Sequence, residues 1–201
     1  MRGVVVVAGP DGSGKSTLVR AIREEAERQG AKVCYVNFRE RILDRAAVWR
    51  RGAPTDVAAH VRPHATRQQP PVVAFLKTAF LYLDLAASAI KWVQLARRGQ
   101  RVLVERYCYD FIVDPARLGV TRAPLRARTA FVRRLPKPRA VLLCEVDPEL
   151  AFARKGELAI QEIRSQYARW GRPGVLADDV PLIRVDTSAA VDVSVLMRVL
   201  A

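Results

Sequence analysis

Gly9, Gly14, Lys15 and Ser16 stand at the spacing G-x-x-x-x-G-K-[ST] within Gly9-Pro10-Asp11-Gly12-Ser13-Gly14-Lys15-Ser16-Thr17. Such a run can wrap a chain of phosphates. Glycines let the backbone turn successive N–H groups inward with no Cβ in the way, a lysine brings a mobile positive charge to the β- and γ-phosphates, and a serine hydroxyl can ligate Mg²⁺. Gly9, Gly12, Ser13, Gly14, Lys15, Ser16 and Thr17 are therefore candidates for holding a triphosphate, with Ser16 also a metal-ligand candidate. A Gly-rich turn that binds nothing would share this composition, but the flanks have the required form. Val4 to Ala8 is an apolar, β-branched run that predicts a buried parallel strand. Leu18, Val19, Ile22 and Ala26 predict an amphipathic helix from Leu18 to Gln29, closed by Gly30. The helix N-terminus would turn a partial positive charge toward the phosphates.

Other strand ends carry further chemistry. Arg101 to Val104 predicts a strand that runs into Glu105-Arg106-Tyr107. A carboxylate there suits a second Mg²⁺ ligand; a structural cap or ion pair is the other reading, and the phosphate loop favours the first. Residues 32–37 predict a strand followed by Phe38-Arg39-Glu40-Arg41, which makes Arg39 and Glu40 site candidates at the end where open α/β sheets bind ligands. Asp147-Pro148-Glu149 has the N-cap, N1 and first-turn chemistry of a helix start. That helix meets Arg154-Lys155-Gly156-Glu157, a charged break before a helix from Leu158 to Trp170. Cations at such a hinge could fold over a nucleotide as a lid near 153–160. Leu182 to Val185 predicts a last strand with the exit loop Asp186-Thr187-Ser188, and Val191 to Leu200 a closing helix. With Ala140 to Val146 as a fourth strand before that last one, the alternation predicts an α/β chain, a P-loop NTPase three-layer α/β/α architecture with a five-stranded parallel sheet, as one domain over 1–201.

With 201 residues, 50% of them hydrophobic, the chain can bury one full core. Thirty-four Lys and Arg against 20 Asp and Glu give +14, which favours anionic partners without choosing among them. Arg126, Arg128, Arg133 and Arg134 on a helix from Pro124 to Leu135 are most simply a solvated face, and no aromatic-basic interleaving of the kind that stacks bases is present. Cys34, Cys108 and Cys144 form no C-x-x-C pair, so a reducing cytoplasm is expected, and with the first strand so close to Met1 no leader is expected. Val72 to Val93 carries Lys77, Asp84 and Lys91, so a long core helix is expected rather than a membrane span. Ala53 to Pro71 is expected as a loop, with His60 and His64 solvated.

With these motifs placed, the chain resembles the thymidylate kinase family of P-loop nucleotide kinases over nearly its whole length. Asp11 with Gly12 to Thr17 is similar to that family's loop, Phe38-Arg39-Glu40 to the start of its Arg-Glu-Pro motif, and Glu105-Arg106-Tyr107 to its Asp-Arg-Tyr motif. Arg154 and Lys155 sit where its basic lid lies. The resemblance implies Mg²⁺-ATP as donor, with Glu105 and Asp11 on the metal and acceptor side. It also implies Arg106 aligning donor and acceptor, Thr187 and Ser188 at the adenine, and a homodimer, for which the long apolar helix is the candidate interface. Tyr107, Asp110 and Asp84 join Arg39 and Glu40 as acceptor-side candidates. There are departures. Arg41-Ile42-Leu43 replaces Pro-Gly-Gly, Leu85 follows Asp84 where an acceptor-holding Arg is expected, Asp110 replaces a Ser, and Glu-Arg is the pair of the related deoxynucleoside kinases. The expected activity is transfer of the γ-phosphate of ATP to a nucleoside monophosphate, dTMP-like, whose ionised oxygen needs cations and no base. The alternative is a kinase for a hydroxyl of a nucleoside or sugar, with Glu40 or Asp110 as base. A non-catalytic P-loop protein that binds nucleic acid ranks third. A small-molecule acceptor is the expected partner, with no membrane.

Overall fold

Val4–Ala8 (β1) is apolar at every position and buried at every position, because a central strand of a parallel sheet is covered on both faces. In the computed structural model, which describes residues 1, 3–38 and 70–200, it is the middle of one five-stranded, all-parallel sheet. The other strands are β2 (Val33–Asn37), β3 (Arg101–Glu105), β4 (Ala140–Glu145) and β5 (Leu182–Asp186), in the order β2-β3-β1-β4-β5. Helices cover both faces, giving the three-layer α/β/α architecture of P-loop NTPases. Arg39, Glu40, His60, His64 and most of the expected loop from Ala53 to Pro71 lie outside the described residues.

Strand alternation divides the core. Val5 and Val7 face α1 (Lys15–Arg28) and α7 (Val193–Leu200), packing with Leu18, Ile22, Leu196 and Met197. Val4 and Val6 face α2 (Pro71–Arg97) and the segment after β3, packing with Leu81, Leu85, Trp92 and Phe111. That segment contains α3 (Asp110–Val113), a turn of helix with no signal of its own, and α4 (Leu125–Arg134). The last helical pair, α5 (Pro148–Lys155) and α6 (Ile160–Trp170), has a small core of its own from Ala151, Leu158 and Ile163. Asp147 caps α5 as its sequence predicts, its carboxylate accepting from the Glu149 and Leu150 amides at 2.9 and 3.3 Å. Gly156, in the left-handed region at φ 61°, ends it.

The long helix departs from expectation. It runs from Pro71 to Arg97 and buries a face on which the small residues Ala74, Thr78, Ser88 and Ala89 sit among Leu81, Asp84, Leu85 and Trp92. Its opposite face is also apolar: Val72, Leu76, Phe80, Leu83 and Ile90 are each more than half exposed. It is thus a half-buried helix with a second, outward apolar stripe at the i, i+4, i+8, i+11, i+18 spacing of one face. By length and composition this helix could cross a membrane, and its buried half is spent on the sheet.

Candidate active site

Beyond Ala8 the chain turns through residues 9–14 into α1. At Gly12, with φ 82°, an added Cβ would run into the Ala151 carbonyl, so the loop lies directly against α5. Gly14, with φ 79°, is the residue before α1 and sits against Thr187, whose Oγ1 lies 2.7 Å from the Ser13 carbonyl oxygen and 2.9 Å from that of Glu145. The exit loop of β5 is thereby tied to the Gly9 to Gly14 loop. α1 begins at Lys15 rather than Leu18, because Lys15, Ser16 and Thr17 form its first turn. Their amides, lacking helical partners, face the loop.

The neighbouring strand is set by register. Val7 of β1 lies opposite Glu105, and the Arg106 amide donates to the Val7 carbonyl at 2.9 Å. Glu105 is buried at the strand end, and the Tyr35 hydroxyl donates to its Oε2 at 2.7 Å. Arg106 is the one non-glycine residue of positive φ among the described residues, at 67°. A non-glycine residue held there costs about 1–3 kcal/mol, and such strain persists where surroundings over-determine it. Here they do: Arg106 Nη2 donates to Asp11 Oδ1 at 2.7 Å and Nη1 to Asp110 Oδ2 at 3.0 Å, with all three side chains buried. Arg117, from the loop after α3, pairs with the other Asp11 oxygen.

Electrostatics follow from this packing. Burial alone would raise the Asp11 carboxyl; Arg106, Lys15 and Arg117 around it win, and hold it well below the usual carboxylate range. Burial also disfavours the charge on Arg106, but Asp110, Asp11 and Asp114 raise its affinity for the proton further still. Lys15 goes the other way. Its Nζ donates to the Pro10 carbonyl at 2.5 Å and lies 3.9 Å from Asp11, yet burial, with the like charge of Arg106, pushes it down from 10.5 to about 8.

Asp11, Gly12, Gly14, Lys15, Ser16, Thr17, Glu105, Arg106 and Arg154 all line one cavity of about 280 Å³. No family model matches the chain, and no curated protein matches it. The cavity adjoins a second, of about 560 Å³, lined by Gly14, Thr17, Leu18, Ala21, Arg154 and residues 187–191. Arg154 belongs to both and donates to the Thr187 carbonyl at 3.3 and 3.4 Å, so its guanidinium straddles the two spaces. Lys155 lines the first cavity and sits 3.6 Å from Glu157.

Three acceptor-side candidates are placed elsewhere. Tyr107 is buried with its hydroxyl donating to the Pro136 carbonyl at 2.7 Å, within a file of rings running Trp92, Tyr107, Tyr109, Trp170 at centroid spacings of 5.9, 5.7 and 5.7 Å. It lines a different cavity, toward Val175 and Leu176. Asp84 is buried in α2 and does not line the main cavity, and Asp110 supports Arg106 from behind. Asn37 and Arg117 are lining residues that sequence reasoning missed. Asn37 could have been found from its place at the end of β2, whereas Arg117 had only the i, i+3 spacing from Asp114 as a cue.

Ser16 and Glu105 fit a Mg²⁺ ion by donor type. Both offer oxygen at the cavity, and among the described residues no group of three or more His, Cys, Asp or Glu side chains is arranged for a metal. A cation here would complete its shell from phosphate and water, as Mg²⁺ does.

Proposed function

We propose that the protein is an ATP- and Mg²⁺-dependent phosphotransferase of the thymidylate kinase type, passing a γ-phosphoryl group to a small anionic acceptor such as a nucleoside monophosphate. The observation that carries this reading is the convergence of Lys15, Arg106 and Arg154 on one cavity edged by Ser16 and Glu105. Transfer of a phosphoryl group needs positioning and charge neutralisation more than covalent help from the protein, and this site is made of those. The loop amides and Lys15 hold the phosphates, and Arg106, fixed by Asp11 and Asp110, holds the reacting groups in line. Arg154 reaches over from α5, and Ala189, Ala190 and Val191 offer an apolar wall for the donor's base in the second cavity. Ser16 and Glu105 would hold Mg²⁺, which supplies neutralising charge when bound.

The choice of acceptor rests on Asp110. Its Oδ2 accepts from Arg106 and its side chain does not line the cavity, which weighs against it as a base and supports an acceptor that arrives already ionised; Glu40, the other nominated base, lies outside the described residues. A panel of nucleoside monophosphates, nucleosides and sugars read by ADP release tests this: turnover of a monophosphate is expected, and turnover of nucleosides or sugars alone would replace it with hydroxyl phosphorylation.

The lowered pKa of Lys15 has a measurable sign. Its folded value lies below the unfolded one, so the charge disfavours folding below about pH 8, and the ligand-free protein gains stability as pH rises from there toward 10.5. Phosphates restore the proton. Binding of Mg²⁺-ATP at pH 8 is expected to take up about half a proton, falling toward none by about pH 6.5. Calorimetry in two buffers of different ionisation enthalpy reads this directly, and zero uptake at pH 8 would refute it.

The outer stripe of α2 fits a second copy of the chain. Packing two such faces would bury Leu76, Phe80 and Leu83, which water otherwise meets. Sedimentation should show a dimer, and the double substitution Leu76→Glu with Leu83→Glu a monomer; a monomeric wild type would dispose of the interface.

A further inference from the structure

We propose that Arg117 is the seat of a second anion in this site, the ionised group of the acceptor, gripped by its Nε–H and Nη2–H. The two edges of this guanidinium are used differently. Nη1 donates to Asp11 and lies 3.9 Å from Asp114 Oδ2, so two buried carboxylates pin that edge. Nε and Nη2 are buried and have no hydrogen-bond partner among the described residues. They share one side of the guanidinium plane with their N–H bonds nearly parallel, the fork that takes a phosphate or carboxylate bidentately. The side chain is 5% exposed, and buried charged donors left unpaired are costly enough to be rare.

Its position fits an acceptor. Arg117 lines the main cavity beside Arg106 and is held by Asp11, the loop residue that also lies 3.9 Å from Lys15. Arg117 thus stands next to the loop residue that neighbours Lys15, and its Nε–Nη2 edge is the one turned away from Asp11. Charge agrees: the lining carries five cationic side chains, Lys15, Arg106, Arg117, Arg154 and Lys155, against the carboxylates of Asp11 and Glu105. That excess leaves positive charge for a second anion beside a triphosphate. The naming of this anion as an acceptor rests on the phosphotransferase reading; the fork itself does not.

Inorganic phosphate is the probe, titrated into the full-length protein with and without the non-hydrolysable Mg²⁺-AMPPNP, and followed by calorimetry. Arg117→Lys keeps the charge between Asp11 and Asp114, which protects folding, and loses the fork. Phosphate affinity is expected to fall about tenfold or more in this variant while Mg²⁺-AMPPNP affinity stays within about threefold. Unchanged phosphate binding, or an equal loss for Mg²⁺-AMPPNP, would overturn the assignment. A wild type that binds Mg²⁺-AMPPNP but not phosphate would also overturn it and leave the phosphotransferase reading standing. Arg117-dependent phosphate binding without Mg²⁺-AMPPNP binding would sink that reading and keep the fork. As a check that needs no altered fold, the arginine Nε–H resonance missing from Arg117→Lys should shift when phosphate is added to the wild type, and a static resonance counts against the proposal.

Discussion

Lys15→Ala is expected to lower kcat for phosphoryl transfer by about 10³-fold, the scale of losing a preorganised charge aimed at developing phosphate charge. Little compensates for it. Arg106 is committed to Asp11 and Asp110, and Arg154 approaches from the opposite helix, so neither can take the place of an Nζ that emerges from the first turn of α1. Folding should hardly notice. The charge on Lys15 is already disfavoured by burial, and Asp11 keeps Arg106 and Arg117 as partners. A coupled assay of ADP release together with thermal unfolding separates the two effects: the expected result is a silent enzyme with a melting temperature within a few degrees of wild type. Retention of more than about a tenth of the activity would remove Lys15 from the mechanism.

Arg106→Met should do the reverse to stability, costing about 3–5 kcal/mol, because it leaves the Asp11 and Asp110 carboxylates buried with their shared cation gone. The left-handed backbone at residue 106 persists in the variant, so the strain remains while the interactions that held it are lost. Denaturant unfolding measures the loss, and activity should vanish with it. Adding Asp110→Asn to Arg106→Met should return part of the stability by removing one stranded charge, without returning turnover. A change below about 1 kcal/mol in the single variant would mean that the Asp11–Arg106–Asp110 arrangement is not what holds this corner together.

The parts of this site that could be read from sequence are those made by local chain geometry. The strand, loop and helix around Gly9 to Thr17 are contiguous, and a five-residue run of buried valines and alanine has few other uses. Glu105 and Arg106 were legible because a strand end in a parallel sheet is a place, not merely a residue. Arg154 was legible through the cap and glycine that bound its helix. Tyr107 was misdirected for a conformational reason: the positive φ at Arg106 turns the chain, and the ring goes into the aromatic file instead of the cavity. Arg117 was invisible because its partner Asp11 is 106 residues away, and no periodicity reports a contact made by a loop. The long helix was legible as a candidate interface, but its mostly apolar pattern does not say which half meets the sheet.

The sheet order has a further consequence. Because β1 is central, the phosphate loop has β3 on one hand and β4 with β5 on the other. Among the described residues, what would greet the acceptor comes from the β3 side, with Glu105, Arg106 and Arg117. What would greet the donor's base comes from the β5 side, with Thr187 to Val191, and Arg154 reaches both, as do Gly14 and Thr17 of the loop and first helical turn. On the proposed phosphotransferase reading the two specificities would be written in different parts of the chain and could drift independently. A lineage could exchange its acceptor by altering the β3 side while its donor chemistry stays untouched, and a designer could do the same.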